Sequence, residues 1–332
     1  MKLVITIDTE EDNWSVYSSG GHTLKNIDRI PYLQELFDAF SVKPTYLITY
    51  PVAVDDRCID MLGGIAKSGR CEIGMHCHPW NTPPFDEELN DKNSMLCNLP
   101  SDLQYKKMSC LHNTIMTNFN VLPVSFRSGR WGYNRDVAAN LFRLGYKIDT
   151  SITPYINWSA YHGPDFSVIS PRPFRFSCDD IFNETDKGDL LEVPASIDFL
   201  QHNSALCGYI DSKIRNSALS RLRLTGILDS MGLVNKVLMT PEETDSNRMI
   251  KLAKCLMKKE YKIINMFFHS TTLMAGLNQF VKTESDEKQF IQRIKDFLVF
   301  AKDAGVESIK LSDTVKLFSL CTANFILVKN FL

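Results

Sequence analysis

The sequence predicts an α/β protein in which a parallel β-sheet with outer helices closes into a barrel. Short apolar, β-branched runs alternate with segments of helical periodicity, in roughly seven units. No internal repeat or linker divides the chain, so we predict one domain. Polar residues follow the predicted strands at their carboxyl ends. A barrel brings those ends together at one mouth, whereas a doubly wound open sheet would spread them apart.

The first half of the chain is predicted to alternate strands and helices, because apolar residues recur at the spacing of each element. The elements are a strand at 3–7, a helix at 28–40, a strand at 44–48, a helix at 56–68, a strand at 71–75, a helix at 101–119 and a strand at 121–126. The long polar segment 81–100 is predicted to be a loop, and loops of this length are often functional.

The second half continues the alternation, although residues 153–189 show no clear period. Its predicted elements are a helix at 134–144, a strand at 146–148, a strand at 190–197, helical segments within 210–260, a strand at 262–268, a helix at 284–304 and a strand at 306–311. We assign residues 1–318 to the barrel and residues 319–332 to a C-terminal tail.

Composition limits the function classes. The formal net charge is −2, which predicts neither a nucleic-acid partner nor an anionic membrane partner. Nine cysteines without a paired framework fit reduced thiols, and the start of the chain does not resemble a signal peptide. We therefore expect a cytoplasmic protein with no integral membrane segment. The oligomeric state is left open.

Two histidines in the segment EIGMHCHPW provide half of a predicted metal site. His76 and His78 are two positions apart in an extended segment, so their side chains point the same way. Two neutral imidazoles are good ligands for a divalent metal, with Zn²⁺ as the first candidate. A carboxylate or a further nitrogen from elsewhere in the chain must complete the site.

Polar residues after other strands are candidates to complete it. Asp8 and Glu10 follow the first strand, and Arg127, Asp149 and His269 follow three others. Any one of them alone is more often structural. Together with the histidine pair they make five sites at the same end of separate strands, which indicates an active site. The pattern is typical of a metal hydrolase, in which a carboxylate takes a proton from metal-bound water and a histidine assists the leaving group.

These motifs resemble those of polysaccharide deacetylases of the NodB-homology type, carbohydrate esterase family 4. The five similar segments, in order, are ITIDTEED, EIGMHCHPW, FRSGRWGY, KIDTSITP and MFFHS. The resemblance extends to about residue 318 and looks closest to a WalW-like branch found among surface-polysaccharide and lipopolysaccharide biosynthesis proteins. It implies a distorted (β/α)₇ barrel that uses a divalent metal to remove an N- or O-acetyl group from a sugar.

The resemblance also implies a role for each site residue. Asp8 would be the base, and Arg127 would pair with it. His269 would be the acid, and Asp149 would support His269 or shape the pocket. The metal ligands would be Glu10, His76 and His78. The implied substrate contacts are Trp80, Arg130, Trp131 and Ser270. The implied substrate is an amino sugar or a glycan intermediate.

Two departures from the family pattern bear on the metal. The family usually has adjacent aspartates in its first motif, whereas Thr9 takes the second place here, so Glu10, or else Glu11 or Asp12, must bind the ion. The family's second histidine usually lies four positions after the first, where this chain has Trp80. Both changes fit either an altered metal site or a metal-free protein.

Two alternatives to a metal-dependent deacetylase therefore stay open. One is a metal-independent hydrolase of a cyclic amide or ureide on the same fold. The other is a non-catalytic carbohydrate-binding barrel. Serine-esterase chemistry is not supported, because the chain contains no GxSxG motif.

Overall fold

The computed structural model describes residues 1–12, 17–186, 188–215 and 224–318. The strands of this part of the chain are β1 (Lys2–Thr9), β2 (Thr45–Ile48), β3 (Glu72–Cys77), β4 (Ser125–Ser128), β5 (Ile148–Asp149), β6 (Phe174–Phe176), β7 (Leu190–Glu192), β8 (Ile197–Phe199), β9 (Lys236–Leu238), β10 (Ile263–His269) and β11 (Glu307–Ser308). The predicted tail at 319–332 lies outside the described residues.

The helices of the same part are α1 (Ile30–Ala39), α2 (Tyr50–Val54), α3 (Asp56–Lys67), α4 (Ser101–Phe119), α5 (Arg135–Arg143), α6 (Ser204–Arg215), α7 (Leu224–Ser230), α8 (Ser246–Lys258), α9 (Glu284–Asp303) and α10 (Thr314–Leu317). Side-chain caps explain where several of them begin. Asp55, Asn134 and Asp245 each accept a hydrogen bond from a first-turn amide. None of the described helices is long and apolar enough to cross a membrane.

The main sheet places the predicted site residues at one edge. Neighbouring strands follow the order β10–β1–β2–β3–β4–β5–β7 and are all parallel, with β6 added antiparallel to β7. The register sets Asp8 opposite His269 and His76 opposite Arg127. Because the strands are parallel and buried, their carboxyl ends form a common mouth.

The sheet curls into a barrel, which confirms the predicted fold. Between β7 and β10, single hydrogen bonds connect the two edges. The Ser196 amide donates to the Asn265 carbonyl at 3.1 Å, and the Asn265 side chain donates to the Val193 carbonyl at 3.2 Å. The barrel is thus a curled sheet with a bridged gap, consistent with the distorted (β/α)₇ form.

Two predicted assignments in the second half were wrong, and one strand lies where none was predicted. The strand predicted at 190–197 is two strands, β7 and β8, separated around Pro194, which has no amide hydrogen to donate to a ladder. The predicted helical region 210–260 contains β9, which pairs antiparallel with β8 as a separate small sheet. Strand β6 lies in the segment that showed no period. These short strands depend on distant partners rather than on local pattern.

Candidate active site

Three buried side chains converge at the mouth of the barrel. Ligand atoms of Glu10, His76 and His78 all lie within 4.8 Å of one another. The same Glu10 Oε2 is 2.9 Å from His78 Nε2 and 3.6 Å from His76 Nε2. Two imidazoles and one carboxylate form a ligand set that suits a catalytic zinc ion. The described residues therefore contain a donor set that fits a divalent metal.

The two acidic residues after Glu10 are engaged elsewhere. Glu11 accepts hydrogen bonds from Thr49 Oγ1 at 3.0 Å and from Asn81 Nδ2 at 2.7 Å. Asp12 accepts one from a backbone amide of the following loop at 2.6 Å. Among the three acidic candidates for a metal ligand, the geometry favours Glu10.

Hydrogen bonds from neighbouring residues orient the candidate ligands. His76 Nδ1 lies 3.0 Å from the Arg127 backbone carbonyl, which leaves Nε2 to face the cluster. The Glu10 amide donates to Ser270 Oγ at 3.0 Å, and Asn26 Nδ2 donates to the Glu10 carbonyl at 2.9 Å. Ser270 is fully buried. The Ser270 hydroxyl, which was expected to contact substrate, instead holds the backbone of Glu10.

A tight turn after β4 makes room for His78. A Cβ atom at Gly129 would lie 2.8 Å from the Cys77 carbonyl oxygen and would overlap the His78 ring. The next residues, Arg130 and Trp131, have φ values of 52° and 60°, a conformation that non-glycine residues rarely adopt. Both side chains line the cavity above the cluster.

Asp8 lies between a guanidinium and an imidazole. Arg127 Nη1 is 2.6 Å from Asp8 Oδ1, and His269 Nε2 is 3.7 Å from Asp8 Oδ2. Burial alone would raise the pKa of Asp8, but the charges of Arg127, His76 and His269 outweigh it and lower that pKa. Asp8 is therefore ionised at neutral pH, as a general base must be.

His269 is held by a carboxylate that the sequence did not single out. Glu242 Oε1 lies 3.0 Å from His269 Nδ1 and accepts the His269 amide at 2.8 Å. Burial would lower the pKa of His269, but Glu242, with Glu10 and Asp8, raises it to about 10. The sequence did not identify Glu242 as a site residue, because it lies in the acidic run PEETD, and acidic residues are also typical of the first turn of a helix.

Asp149 lies in the barrel interior rather than beside His269. It accepts a hydrogen bond from Ser151 Oγ at 2.6 Å, and its Cα is the register partner of Glu192 on β7. Burial raises the pKa of both carboxyl groups, and their mutual repulsion adds to the rise at Glu192. The residue that contacts His269 is therefore Glu242, and not Asp149 as the resemblance implied. Asp149 lies beside Glu192 instead, because the two are register partners in β5 and β7.

The site opens into a cavity of about 530 Å³, a size suited to a small ligand. The Trp80 ring packs against the His78 ring at a tilt of 37°, with centroids 4.0 Å apart. The Arg130 guanidinium lies 5.1 Å from the centroid of the Tyr17 ring. The aromatic side chains that line the cavity are Tyr17, Trp80, Trp131, Trp158, Tyr161, Phe267 and Phe280. Of the four predicted substrate contacts, all but Ser270 reach it.

No protein-family profile and no curated protein sequence matches this chain. Solved structures match it in fold. A protein assigned as a polysaccharide deacetylase from Mycobacterium smegmatis superposes with a TM-score of 0.55 and 13% identity, over 96% of this chain and 89% of its own. A protein assigned as a glycoside hydrolase or deacetylase from Parabacteroides distasonis superposes with a TM-score of 0.61 and 12% identity, over 96% of this chain and 70% of its own.

This chain has the polysaccharide deacetylase fold. An allantoinase shares it, with a TM-score of 0.53 and 12% identity over 98% of this chain and 91% of the allantoinase. The resemblance inferred from the motifs is thus confirmed for the fold, and the WalW-like branch stays a prediction. Because one fold can support different chemistries, the activity of this deacetylase-fold protein must be argued from its site.

Proposed function

We propose that this protein is a metal-dependent hydrolase that removes an acyl group, such as acetyl, from an amino sugar. The observation that carries the proposal is the convergence of Glu10, His76 and His78 beside the Asp8–Arg127 pair. Three ligands of this kind leave coordination positions open, as a catalytic metal requires. The nitrogen and oxygen donors favour Zn²⁺, although other transition metals accept the same set.

The roles of the side chains follow from their protonation states. A divalent ion held by the three ligands would polarise the acyl carbonyl and make the attacking water more acidic. Ionised Asp8 would take the proton from that water, with Arg127 fixing its orientation. Protonated His269 would donate a proton to the leaving nitrogen. Glu242 keeps His269 protonated and oriented through Nδ1.

The substrate class rests on the cavity and on the family resemblance. Trp80 and Trp131 line the cavity, and flat aromatic side chains can stack on the apolar face of a sugar ring. The resemblance supports a place in surface-polysaccharide or lipopolysaccharide biosynthesis, in the cytoplasm. The substrate there would be a free, nucleotide-linked or lipid-linked amino sugar.

Metal content is the first test of this proposal. We expect near-stoichiometric metal in the purified protein and its loss in the double variant His76→Ala, His78→Ala. Replacing the exposed His202 by alanine is the matched control and should leave the metal in place. Asp8→Asn should keep the metal and lose acyl release. A wild-type site that stays empty after incubation with Zn²⁺ would contradict the proposal.

The likeness to an allantoinase fold favours one alternative, the hydrolysis of a cyclic amide or ureide without a metal. The two functions differ in their response to chelation. Hydrolysis of a ureide such as allantoin that persists after metal removal would support the alternative. Release of acetate from N-acetylglucosamine compounds that stops on chelation and returns with Zn²⁺ would support the deacylase.

A further inference from the structure

An apolar surface lies on the β10 side of the cavity. Ile197 on β8 and Leu238 on β9 are register partners in the small antiparallel sheet. Both line the cavity and pack in one cluster with Ile156 and Phe267. We call these four residues, Ile156, Ile197, Leu238 and Phe267, the apolar wall.

The apolar wall begins beside the reacting groups. Phe267 precedes His269 by two positions on β10, so both side chains face the inside of the barrel. The Phe267 ring packs edge-on against Trp131, with centroids 5.7 Å apart. Trp131 in turn covers the guanidinium of Arg127 at 5.0 Å, and Arg127 holds Asp8. A carbonyl bound at the mouth within reach of Asp8 and His269 would therefore lie next to the wall.

A second surface of the cavity, on the β3 side, combines aromatic rings with polar groups. There Trp80 covers His78, and Tyr17 packs against Trp80 with ring centroids 5.1 Å apart. The Arg130 guanidinium lies over Tyr17 and adds hydrogen-bond donors. Aromatic rings combined with polar groups suit a sugar, whereas the hydrocarbon side chains of the apolar wall suit an alkyl chain.

We propose that the apolar wall binds an acyl chain several carbons longer than acetyl, so that the preferred substrate is an amino sugar carrying a medium-length N-acyl group. This proposal rests on the proposed function. An acetyl group offers one methyl to four apolar side chains, and each further buried methylene adds favourable transfer energy. Hydrolysis would break the amide C–N bond, form a C–O bond from water, and release the carboxylate of the chain and the free amine.

A chain-length series tests the apolar wall. The probes are N-acetyl-, N-butyryl-, N-hexanoyl- and N-octanoylglucosamine, with kcat/KM measured on the zinc-loaded wild type. Their dissociation constants are measured by calorimetry on Asp8→Asn, which is expected not to turn over. We expect kcat/KM and affinity to rise up to about fourfold per added methylene, until the wall is filled.

Substitutions in the apolar wall test whether the wall causes the preference for longer acyl chains. Leu238→Gln makes the wall polar and Ile156→Trp narrows it, and both side chains are only partly buried, so both variants should fold. Each should flatten the chain-length series, with a larger loss for hexanoyl than for acetyl. Leu233→Ser changes a leucine that is 53% exposed and should leave the series as it is in the wild type.

The outcomes distinguish this proposal from the proposed function. Efficient release of acetyl with a flat or falling series overturns the longer chain and leaves the deacylase intact. Affinity that rises with chain length without turnover supports the wall and removes the deacylase. A further probe is hexyl N-acetylglucosaminide, which carries its alkyl chain on the sugar rather than on the acyl group. If its kcat/KM and affinity rose as much as those of the N-hexanoyl compound, the wall would bind the sugar side of the substrate and the proposal would fail.

Discussion

At the scale of single residues, the candidate metal site depends on how closely the turn after β4 passes His78. Gly129→Ala adds a methyl group that must displace the His78 ring or the Cys77 carbonyl. We expect metal affinity to fall by about 10- to 100-fold, because the orientation of a ligand controls affinity. Competition with a chelating dye measures it.

A second glycine provides the control for this substitution. A Cβ atom at Gly64 in α3 would have nothing within 4 Å. Gly64→Ala should therefore leave metal affinity unchanged, and it should stabilise the helix by up to about 1 kcal/mol. Equal metal affinity in the two variants would show that Gly129 is not needed for the position of His78.

The protonation of His269 provides a second prediction at this scale. As the proposed acid, His269 must be protonated, so activity should be lost as the pH rises through its pKa of about 10. Glu242→Gln removes the negative charge next to Nδ1, so the basic limb of kcat/KM should move to lower pH. Glu184→Gln, at a separate surface cavity, is the control and should leave the profile in place. An unmoved basic limb in Glu242→Gln would remove Glu242 from this role.

At the scale of elements, α4 fixes the loop that carries Trp80. Lys107 in this helix is fully buried. Its ammonium group donates to the backbone carbonyls of Pro79, Thr82 and Pro84 at 2.9, 2.8 and 2.6 Å. A buried lysine is stable in the charged form only when such acceptors surround it. Lys107 thus ties the chain directly after His78 to a helix of the outer layer.

Replacing this lysine should therefore loosen the loop. Lys107→Met leaves three buried carbonyl groups without their donor and the buried Glu87 carboxylate, 2.8 Å from the ammonium group, without its counter-ion. The free energy of unfolding should therefore fall by roughly 3–5 kcal/mol. Urea unfolding followed by circular dichroism measures the change. The neighbouring Lys106 is 58% exposed, and Lys106→Met should change the stability by less than about 0.5 kcal/mol. Equal effects of the two substitutions would rule out the proposed role of Lys107.

At the scale of the whole molecule, the site joins segments that are distant in the chain. Glu10 and His78 are 68 residues apart, and Asp8 and Arg127 are 119 apart. The ligand set exists only when β1 and β3 are assembled, so a metal bound there stabilises the folded state over the unfolded chain. A metal bound at this site would therefore hold β1 and β3 together as well as take part in the proposed catalysis.

Metal removal should lower the thermal stability of the protein. At a free metal concentration about 1,000 times the dissociation constant, binding contributes about 4 kcal/mol, which corresponds to about 6 °C in Tm for a chain of this size. Differential scanning calorimetry with and without a chelator measures the shift. The double variant His76→Ala, His78→Ala should show no shift, and the same shift in both proteins would place the metal elsewhere.

The sequence by itself determined the features that depend on local pattern. The alternation of strands and helices predicted the barrel, because hydrophobic periodicity is set within each element. Because parallel strands end at one mouth, the sequence also predicts that Asp8, His76 and Arg127 lie in the same region. The spacing of His76 and His78 predicted a shared direction, and the two Nε2 atoms do face the same Glu10 oxygen.

The tertiary structure decided which side chains meet across the barrel. It brought Glu242 rather than Asp149 to His269, turned Ser270 under Glu10, and built part of the apolar wall from the unpredicted pair β8–β9. Each of these contacts depends on the register between segments far apart in the chain. A one-residue change of register would reverse the faces of a strand without changing its local pattern, so periodicity alone could not select among them.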